Sequence, residues 1–201
     1  MATAPGGPAR FSGVILAGGR SSRMGRDKGV LRLNGRTLLE LQAEKLRTLG
    51  IEDILLSGED CPPLPDTRVI PDEYAGRGPL GGLHACLLAA RNPACLVLSV
   101  DVPLIPAGAL AALCRVHRGG ITVLRHRGAD EPLIGVYDRA CAGAAAALLD
   151  SGRGAVRALE EVLPWRRWDY DGPEELLLNC NTPEDFDRAR RLAEAGVLSP
   201  L

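Results

Sequence analysis

The sequence predicts an α/β sandwich built on a mainly parallel central sheet, and two observations support this fold class. Strand-like and helix-like stretches alternate along most of the 201 residues. The stretch from Ala94 to Val100, ACLVLSV, is almost continuously apolar, as is typical of a central parallel strand covered on both faces. Ligands of such folds bind beyond the carboxyl ends of the strands, so the loops that follow strands are where a functional site is expected.

The first half of the chain shows this alternation in order. An apolar strand leads into a glycine-rich loop, and the helix that follows is closed by Gly50, a residue typical of helix ends. Pro79 favours the first turn of the next helix. The elements expected up to residue 91 are strands over 13–18, 51–57 and 68–70 and helices over 37–49 and 79–91.

The second half continues with alanine-rich helices and short strands. After the strand over 94–100, helices are expected over 107–117, 139–149, 155–163 and 183–195, and strands over 120–124, 132–137 and 176–178. Residues 11–201 are expected to form a single domain, because no repeat, low-complexity linker or change of composition divides them. Residues 1–10, MATAPGGPAR, lack the apolar stretch of a signal peptide and are expected to form a flexible tail.

Composition and charge exclude several classes of protein. Only 3% of the residues are aromatic, so stacking platforms for nucleic acid are not expected, and 24 basic residues nearly balance 25 acidic ones. No apolar run reaches the length of a membrane span. The six cysteines form no CxxC pair and no zinc-like spacing, so reduced thiols are expected. These features indicate a soluble cytoplasmic protein without nucleic-acid or membrane partners.

The stretch LAGGRSSRMGRDK, from Leu16 to Lys28, combines flexible backbone with positive charge directly after a strand. It fits neither the Walker pattern nor the dinucleotide-binding pattern GxGxxG. Its glycines can bring backbone N–H groups close to phosphate oxygens, and its arginines and lysine can neutralise those oxygens. We therefore interpret it as a phosphate-binding loop, with a solvated basic loop as the alternative.

LAGGRSSRMGRDK also resembles the signature of the nucleotidyltransferases that handle the molybdenum cofactor, the molybdenum cofactor guanylyltransferases. The resemblance implies a three-layer Rossmann-like sandwich of the nucleotide-diphospho-sugar transferase type. It assigns the nucleotide pocket to Leu16, Ala17, Gly18 and Gly19, and the triphosphate to the catalytic residues Arg23 and Lys28.

A second motif, VIPDEYAGRGPLGGLHACLLA, covers residues 69–89. The glycines of GPLGG allow a close approach to a ligand before a helix begins, although a plain turn and helix start would have the same sequence. In the family, an equivalent acid and the GPLGG turn lie beside the base and ribose of the nucleotide. The resemblance therefore implies nucleotide contacts for Asp72, Gly81 and Gly82, and also for Ser57 at the end of the second strand.

Asp101 forms the third piece of the expected site. It follows the apolar strand and precedes Val102 and Pro103, so its carboxylate is expected at the carboxyl end of that strand. One carboxylate there can hold Mg²⁺, which usually keeps waters and takes further ligands from substrate phosphates. An aspartate that only stabilises the turn is the alternative. The matching aspartate of the family is the metal ligand, which implies that Asp101 is catalytic and binds both Mg²⁺ and the nucleotide.

The segment NCNTPEDF is the fourth piece. Its Thr182, Pro183 and Asp185 predict a helix start by residue chemistry alone. That reading leaves the two asparagines unexplained. The pattern NxNTPED recurs in the molybdenum guanylyltransferases on the side that takes the pterin substrate, which implies that Asn179 and Asn181 bind molybdopterin.

Together the four motifs imply a transfer of GMP from GTP to molybdopterin cofactor with Mg²⁺, which releases pyrophosphate. The three histidines share no ligand spacing and are expected at the surface or in helix packing, which fits a reaction that needs no general base. Transfer of CMP, transfer to a sugar phosphate, and a nucleotide-binding module without turnover are the alternatives. The resemblance also implies a partner that receives the product, either a molybdenum enzyme or a cofactor chaperone.

Overall fold

The computed structural model describes residues 10–17, 28–58, 61–74 and 76–196. In this part of the chain seven strands form one sheet and two more form a separate hairpin. The strands are β1 (Phe11–Leu16), β2 (Arg32–Leu33), β3 (Arg36–Thr37), β4 (Ile54–Ser57), β5 (Thr67–Ile70), β6 (Ala94–Ser99), β7 (Ile121–His126), β8 (Ala129–Asp138) and β9 (Trp165–Asp169). The α-helices of the same residues are α1 (Leu38–Thr48), α2 (Pro79–Ala89), α3 (Ala107–Val116), α4 (Ala142–Asp150) and α5 (Pro183–Glu194).

The order of strands across the large sheet is β5-β4-β1-β6-β8-β7-β9. Strands β5, β4, β1 and β6 are parallel to one another, and β7 is parallel to β9. Strand β8 is antiparallel to both of its neighbours, β6 and β7. Every strand of this sheet except β8 therefore points the same way, which confirms the predicted mainly parallel α/β sheet.

Two apolar cores lie on opposite faces of the sheet. Alternate residues of β1 divide between them, with Ile15 in one core and Val14 in the other, because successive side chains of a strand point to opposite faces. Helices α1, α3 and α5 supply buried residues to the first core, and α2 and α4 to the second. The arrangement is the predicted three-layer sandwich. It also buries all six cysteines as free thiols.

The packing of α1 depends on a glycine in β1. A Cβ atom built on Gly13 would lie 2.6 Å from Leu46 Cδ1, a distance that real side chains do not show. Because position 13 carries no side chain, Leu46 of α1 can pack directly on β1. The first turn of α1 is fixed by a capping box, in which Thr37 and Glu40 each accept the other's backbone N–H.

Three parts of the sequence-based assignment are wrong. Residues 176–178 are not a strand: a 3₁₀ helix covers Glu174–Leu177, and its i→i+3 hydrogen bonds satisfy the backbone locally. Residues 155–163 form a 3₁₀ helix over Val156–Glu161 rather than an α-helix. The edge strand β9 and the β2–β3 hairpin were not predicted at all.

Apart from Arg10, the expected flexible tail over residues 1–10 lies outside the described residues, and the single domain over 11–201 stays a prediction. Among the helices of the described residues, none combines the length and apolarity that crossing a bilayer requires.

Candidate active site

Four parallel strands end side by side at one edge of the sheet. Leu16, the last residue of β1, is in register with Ser57 at the end of β4 and with Ser99 at the end of β6. Ser57 is in turn in register with Ile70, the last residue of β5. Leu16 and Ser57, both expected in the nucleotide pocket, are therefore neighbours at the edge where a ligand is expected.

The start of α2 packs directly against this edge. A Cβ atom built on Gly82 would lie 3.0 Å from Ser57 Oγ, and one built on Gly81 would lie 2.5 Å from Asp72 Oδ1. The same Asp72 oxygen accepts the backbone N–H of Tyr74 at 2.8 Å. The structure thus brings together Ser57, Asp72, Gly81 and Gly82. The two glycines allow α2 to approach the side chains of Asp72 and Ser57 closely, a contact that the sequence did not show.

A distant glycine holds the turn before α2. Gly154 accepts the backbone N–H of Leu80 at 3.0 Å, and a Cβ atom built on Gly154 would overlap the carbonyl of Arg77. Gly78, the residue before α2, has φ of +93°, in the region that favours glycine. The GPLGG turn is therefore fixed by the chain that follows α4, a contact that no local pattern could have indicated.

Asp101 lies in the turn after β6 and is half-buried. Its Oδ1 atom accepts a hydrogen bond of 2.5 Å from Ser99 Oγ, and its main-chain carbonyl accepts one of 2.7 Å from the N–H of Cys180. Cys180 stands between Asn179 and Asn181 and is fully buried. The expected metal ligand and the two expected pterin-binding asparagines are therefore held together, although they are far apart in the sequence.

The helix start after these asparagines is the one predicted. Thr182 Oγ1 accepts the N–H of Asp185 at 3.1 Å, and the Asp185 carboxylate accepts the N–H of Thr182 at 2.9 Å and that of Asn181 at 3.2 Å. These hydrogen bonds lower the pKa of Asp185 against the opposing effect of desolvation. The cap thus also orients the backbone of Asn181.

The family of known proteins that matches the chain over residues 13–166 is the MobA-like NTP transferase domain family. The chain belongs to the MobA-like NTP transferase family. This membership confirms the predicted family and the predicted enzyme class, a nucleotidyltransferase. The matched range contains every expected nucleotide-binding residue, from Leu16 to Asp101.

Relatives of known name extend the match beyond residue 166. The chain is 36% identical over 204 aligned residues to a protein named "Probable molybdenum cofactor guanylyltransferase" from Opitutus terrae, with 90% of this chain and 95% of that protein covered. Solved structures of similar fold include the molybdopterin-guanine dinucleotide biosynthesis protein A of Archaeoglobus fulgidus, with a TM-score of 0.75, 22% identity and coverage of 92% of this chain and 100% of that one. Another is Rv0371C of Mycobacterium tuberculosis, solved in complex with manganese, with a TM-score of 0.68, 21% identity and coverage of 91% and 98%.

Several expected residues of this MobA-like site cannot be placed. Gly18, Gly19 and Arg23 lie outside the described residues. Lys28 begins a 3₁₀ helix over Lys28–Val30, but its side chain is not among those described. Ala17 follows β1 directly and packs, partly buried, against the core below α1. The assignment of the phosphate loop to the triphosphate therefore stays a prediction.

Glu131 is a residue of this edge that sequence reasoning missed. It lies near the start of β8, which runs antiparallel to β6 with Leu98 opposite Ile134, so the first residues of β8 lie beside the turn of Asp101. Burial raises the pKa of the Glu131 carboxyl, Arg157 acts to lower it, and the negative charge of Asp101 raises it further. This edge of the sheet therefore carries two acidic side chains, Asp101 in the turn after β6 and Glu131 in β8.

The carboxylate at this edge suits a divalent cation that takes its other ligands from the phosphates of a substrate. Within the described residues, no group of three or more histidine, cysteine, aspartate or glutamate side chains is placed to hold a metal ion by itself. Asp101 offers a carboxylate at the strand end, which is the kind of single anchor that Mg²⁺ uses when phosphates supply further ligands. Asp101 therefore fits a divalent cation that arrives with a nucleotide.

Proposed function

We propose that this chain transfers GMP from GTP to molybdenum-molybdopterin cofactor, forming the guanine dinucleotide of the cofactor and pyrophosphate. The observation that carries the proposal is the hydrogen bond between the Asp101 carbonyl and the Cys180 N–H, 2.7 Å long. It joins the acid expected at the nucleotide phosphates to the asparagines expected at the pterin. A relative that is 36% identical bears the name of this activity, which supports the same assignment.

The nucleotide half of the site is formed by the ends of β1, β4 and β5 with the start of α2. The family resemblance assigns the nucleotide pocket to Leu16, Ala17, Gly18 and Gly19. Ser57 and Asp72 contact the nucleotide from the strand ends, and Gly81 and Gly82 let α2 approach both of them. Asn179 and Asn181 bind the pterin on the other side of Asp101.

The divalent cation is Mg²⁺, and Asp101 is the protein residue that holds it. The manganese complex of Rv0371C, a protein of similar fold, supports the use of a divalent cation. When bound, such a cation offsets the negative charge of the phosphate oxygens. The Ser99 hydroxyl keeps the Asp101 carboxylate in place by donating to its Oδ1 atom.

The reaction needs positioning and charge neutralisation more than proton transfer. A terminal phosphate oxygen of the cofactor attacks the α-phosphorus of GTP, a new P–O bond forms, and the bond to the β-phosphate oxygen breaks as pyrophosphate leaves with its electron pair. The attacking phosphate is already ionised at neutral pH, so no general base is required. Arg23 and Lys28 stabilise the charge that develops on the pyrophosphate.

A comparison of nucleotides tests the proposal. The purified protein is incubated with Mg²⁺, molybdenum cofactor and each of the four nucleoside triphosphates, and pyrophosphate release is measured. Release with GTP that depends on the cofactor is expected. Release with CTP alone would overturn the choice of guanine, whereas tight GTP binding without cofactor-dependent release would indicate a nucleotide-binding module.

A further inference from the structure

Helix α1 buries two polar side chains on the face that meets the sheet. Gln42 is 0% exposed and Lys45 is 2% exposed. An amide or an ammonium group in such a place destabilises the fold unless it is hydrogen-bonded, and apolar residues of similar volume are usually at least as stabilising. We therefore expect the hydrogen bonds of Gln42 and Lys45 to explain why both side chains are buried.

Both side chains bind the turn that follows β6. Gln42 Nε2 donates to the carbonyls of Ser99 and Val102 at 2.8 and 2.9 Å. Lys45 Nζ donates to the carbonyl of Pro103 at 2.5 Å and to Gln42 Oε1 at 3.1 Å. Three main-chain carbonyls of residues 99–103 are thus held by one connected pair of side chains on α1.

The remaining backbone of the same turn is held from two other directions. The N–H of Val100 donates to the carbonyl of Leu16 at 3.2 Å, and the carbonyl of Asp101 accepts from Cys180. Every residue from Ser99 to Pro103 therefore has a main-chain hydrogen bond to β1, α1 or the segment before α5. This leaves the Asp101 backbone little freedom to turn, which is the condition for a preorganised ligand.

The lowered pKa of the Lys45 amine is compatible with these hydrogen bonds. Burial lowers the pKa of its amine to about 7. A neutral amine has two N–H donors, and the two acceptors that Lys45 meets are the Pro103 carbonyl and Gln42 Oε1. The pair can therefore keep its hydrogen bonds without a permanently buried charge.

We propose that Gln42 and Lys45 are positioning residues, which fix the turn of residues 99–103 so that Asp101 holds the divalent cation in the geometry that GMP transfer needs. The inference rests on the proposed role of Asp101 as the metal ligand. Neither side chain touches the substrate or the cation. Their effect passes through the backbone of the turn.

Cation binding tests this role without turnover. Binding of Mn²⁺ in the presence of GTP is measured by electron paramagnetic resonance for the wild type, Gln42→Met, Lys45→Met and Asp101→Asn. Loss of partners behind a metal ligand typically weakens metal binding about 10–100-fold, so this range is expected for Gln42→Met and Lys45→Met. Leu46→Met is the matched control, because Leu46 is a buried α1 residue that packs on Gly13. Its Mn²⁺ affinity should stay at the wild-type value.

A double-mutant cycle separates positioning from general stability. If Gln42 acts through Asp101, Gln42→Met should lower GMP transfer about 10-fold or more in the wild type and change it little in Asp101→Asn. Wild-type Mn²⁺ affinity in Gln42→Met, or equal losses in both backgrounds, would overturn the proposal. If instead Asp101→Asn itself kept wild-type Mn²⁺ affinity, the metal assignment of the proposed function would fail. The same cycle is run with Lys45→Met. If one of the two variants fails to fold, the cycle with the other still tests the proposal.

Discussion

The hydroxyl of Ser99 donates a hydrogen bond of 2.5 Å to Oδ1 of Asp101, two residues further along the chain. Ser99 is the last residue of β6 and is itself buried, so the donor is fixed by the sheet. A fixed donor limits the rotation of the Asp101 carboxylate and leaves its orientation defined before any ligand arrives.

Ser99→Ala should therefore weaken the binding of Mg²⁺, although the Asp101 carboxylate that binds it stays in place. We expect the Mg²⁺ concentration for half-maximal GMP transfer to rise about 10-fold, the lower end of the effects seen when a partner behind a metal ligand is lost. The measurement is a Mg²⁺ titration of the initial rate. Ser151→Ala removes a hydroxyl that donates to the Leu148 carbonyl at the end of α4, and it should leave the titration unchanged. An unchanged titration in Ser99→Ala would show that the bond to Asp101 has no role in binding the cation.

Asp101→Asn should lose most of the activity. Removal of one electrostatic contact made in the transition state typically costs about 10²–10³-fold in rate, and we expect at least this loss together with a higher Mg²⁺ requirement. Circular dichroism should show a normal fold. His84→Ala is the comparison, because His84 is a buried α2 residue whose ring packs edge-on against Tyr74. It should lower the melting temperature and leave the rate nearly unchanged.

Lys28→Ala tests the phosphate loop independently of the metal. The loss of a cation that stabilises the departing pyrophosphate should lower kcat about 10²–10³-fold, with a smaller change in KM for GTP. Steady-state kinetics with varied GTP separate the two constants. If KM alone rose, Lys28 would bind the ground state of the triphosphate, and the assignment to the leaving group would be wrong.

Gly81→Ala should disturb the nucleotide pocket through Asp72. The added Cβ would lie 2.5 Å from Asp72 Oδ1, so the carboxylate must shift, which disturbs the hydrogen bond that it accepts from the Tyr74 N–H. We expect KM for GTP to rise, measured by initial rates. Gly143→Ala is the control, since Gly143 lies within α4 with open space at its Cβ and should gain up to about 1 kcal/mol of helix stability. If Gly81→Ala and Gly143→Ala had equal KM values for GTP, Asp72 would not contact the nucleotide.

The stability of the fold should carry a pH dependence from Lys45. Burial lowers its pKa from 10.5 to about 7, so between these values the unfolded chain binds more protons than the folded one. The free energy of unfolding should therefore rise with pH in this window, and the cost of the buried charge should be complete below pH 7. Lys45→Met lacks this component.

The comparison is best made between pH 7 and about 8.5, below the ordinary pKa of cysteine. Burial raises the pKa of Cys95 and Cys114 to about 12, which destabilises the folded state at higher pH in both proteins. Chemical denaturation at several pH values gives the difference in unfolding free energy. That difference should shift in favour of the wild type as the pH rises, and parallel curves would mean that Lys45 titrates normally.

The central part of the fold could be predicted because its signals are local. The apolar run at 94–99 is typical of a strand covered on both faces, and the residues Thr182 and Asp185 have the chemistry of a helix cap. Asp101 could be predicted for the same reason, since a strand end and a carboxylate next to it are both visible in the sequence.

The rest depends on contacts between distant segments. Strand β9 lies at the edge of the sheet and Trp165 is its one buried residue, so its WRRWD sequence carries no clear alternation. Glutamine and lysine usually lie at the surface, and only the packing of the turn of residues 99–103 against α1 shows that Gln42 and Lys45 are buried. The position of Glu131 beside Asp101 follows from the antiparallel direction of β8, which no local pattern sets.

Because all six cysteines are buried, their reaction with a thiol reagent reports local unfolding of the protein. A thiol reacts as its thiolate, and burial both shields these sulfurs and raises the pKa of Cys95, Cys114 and Cys141. An alkylating reagent therefore meets a reactive sulfur only when the surrounding segment unfolds. Because the sulfurs are spread over both cores, the order in which they are labelled, read by mass spectrometry, ranks the segments by the free energy of their local opening.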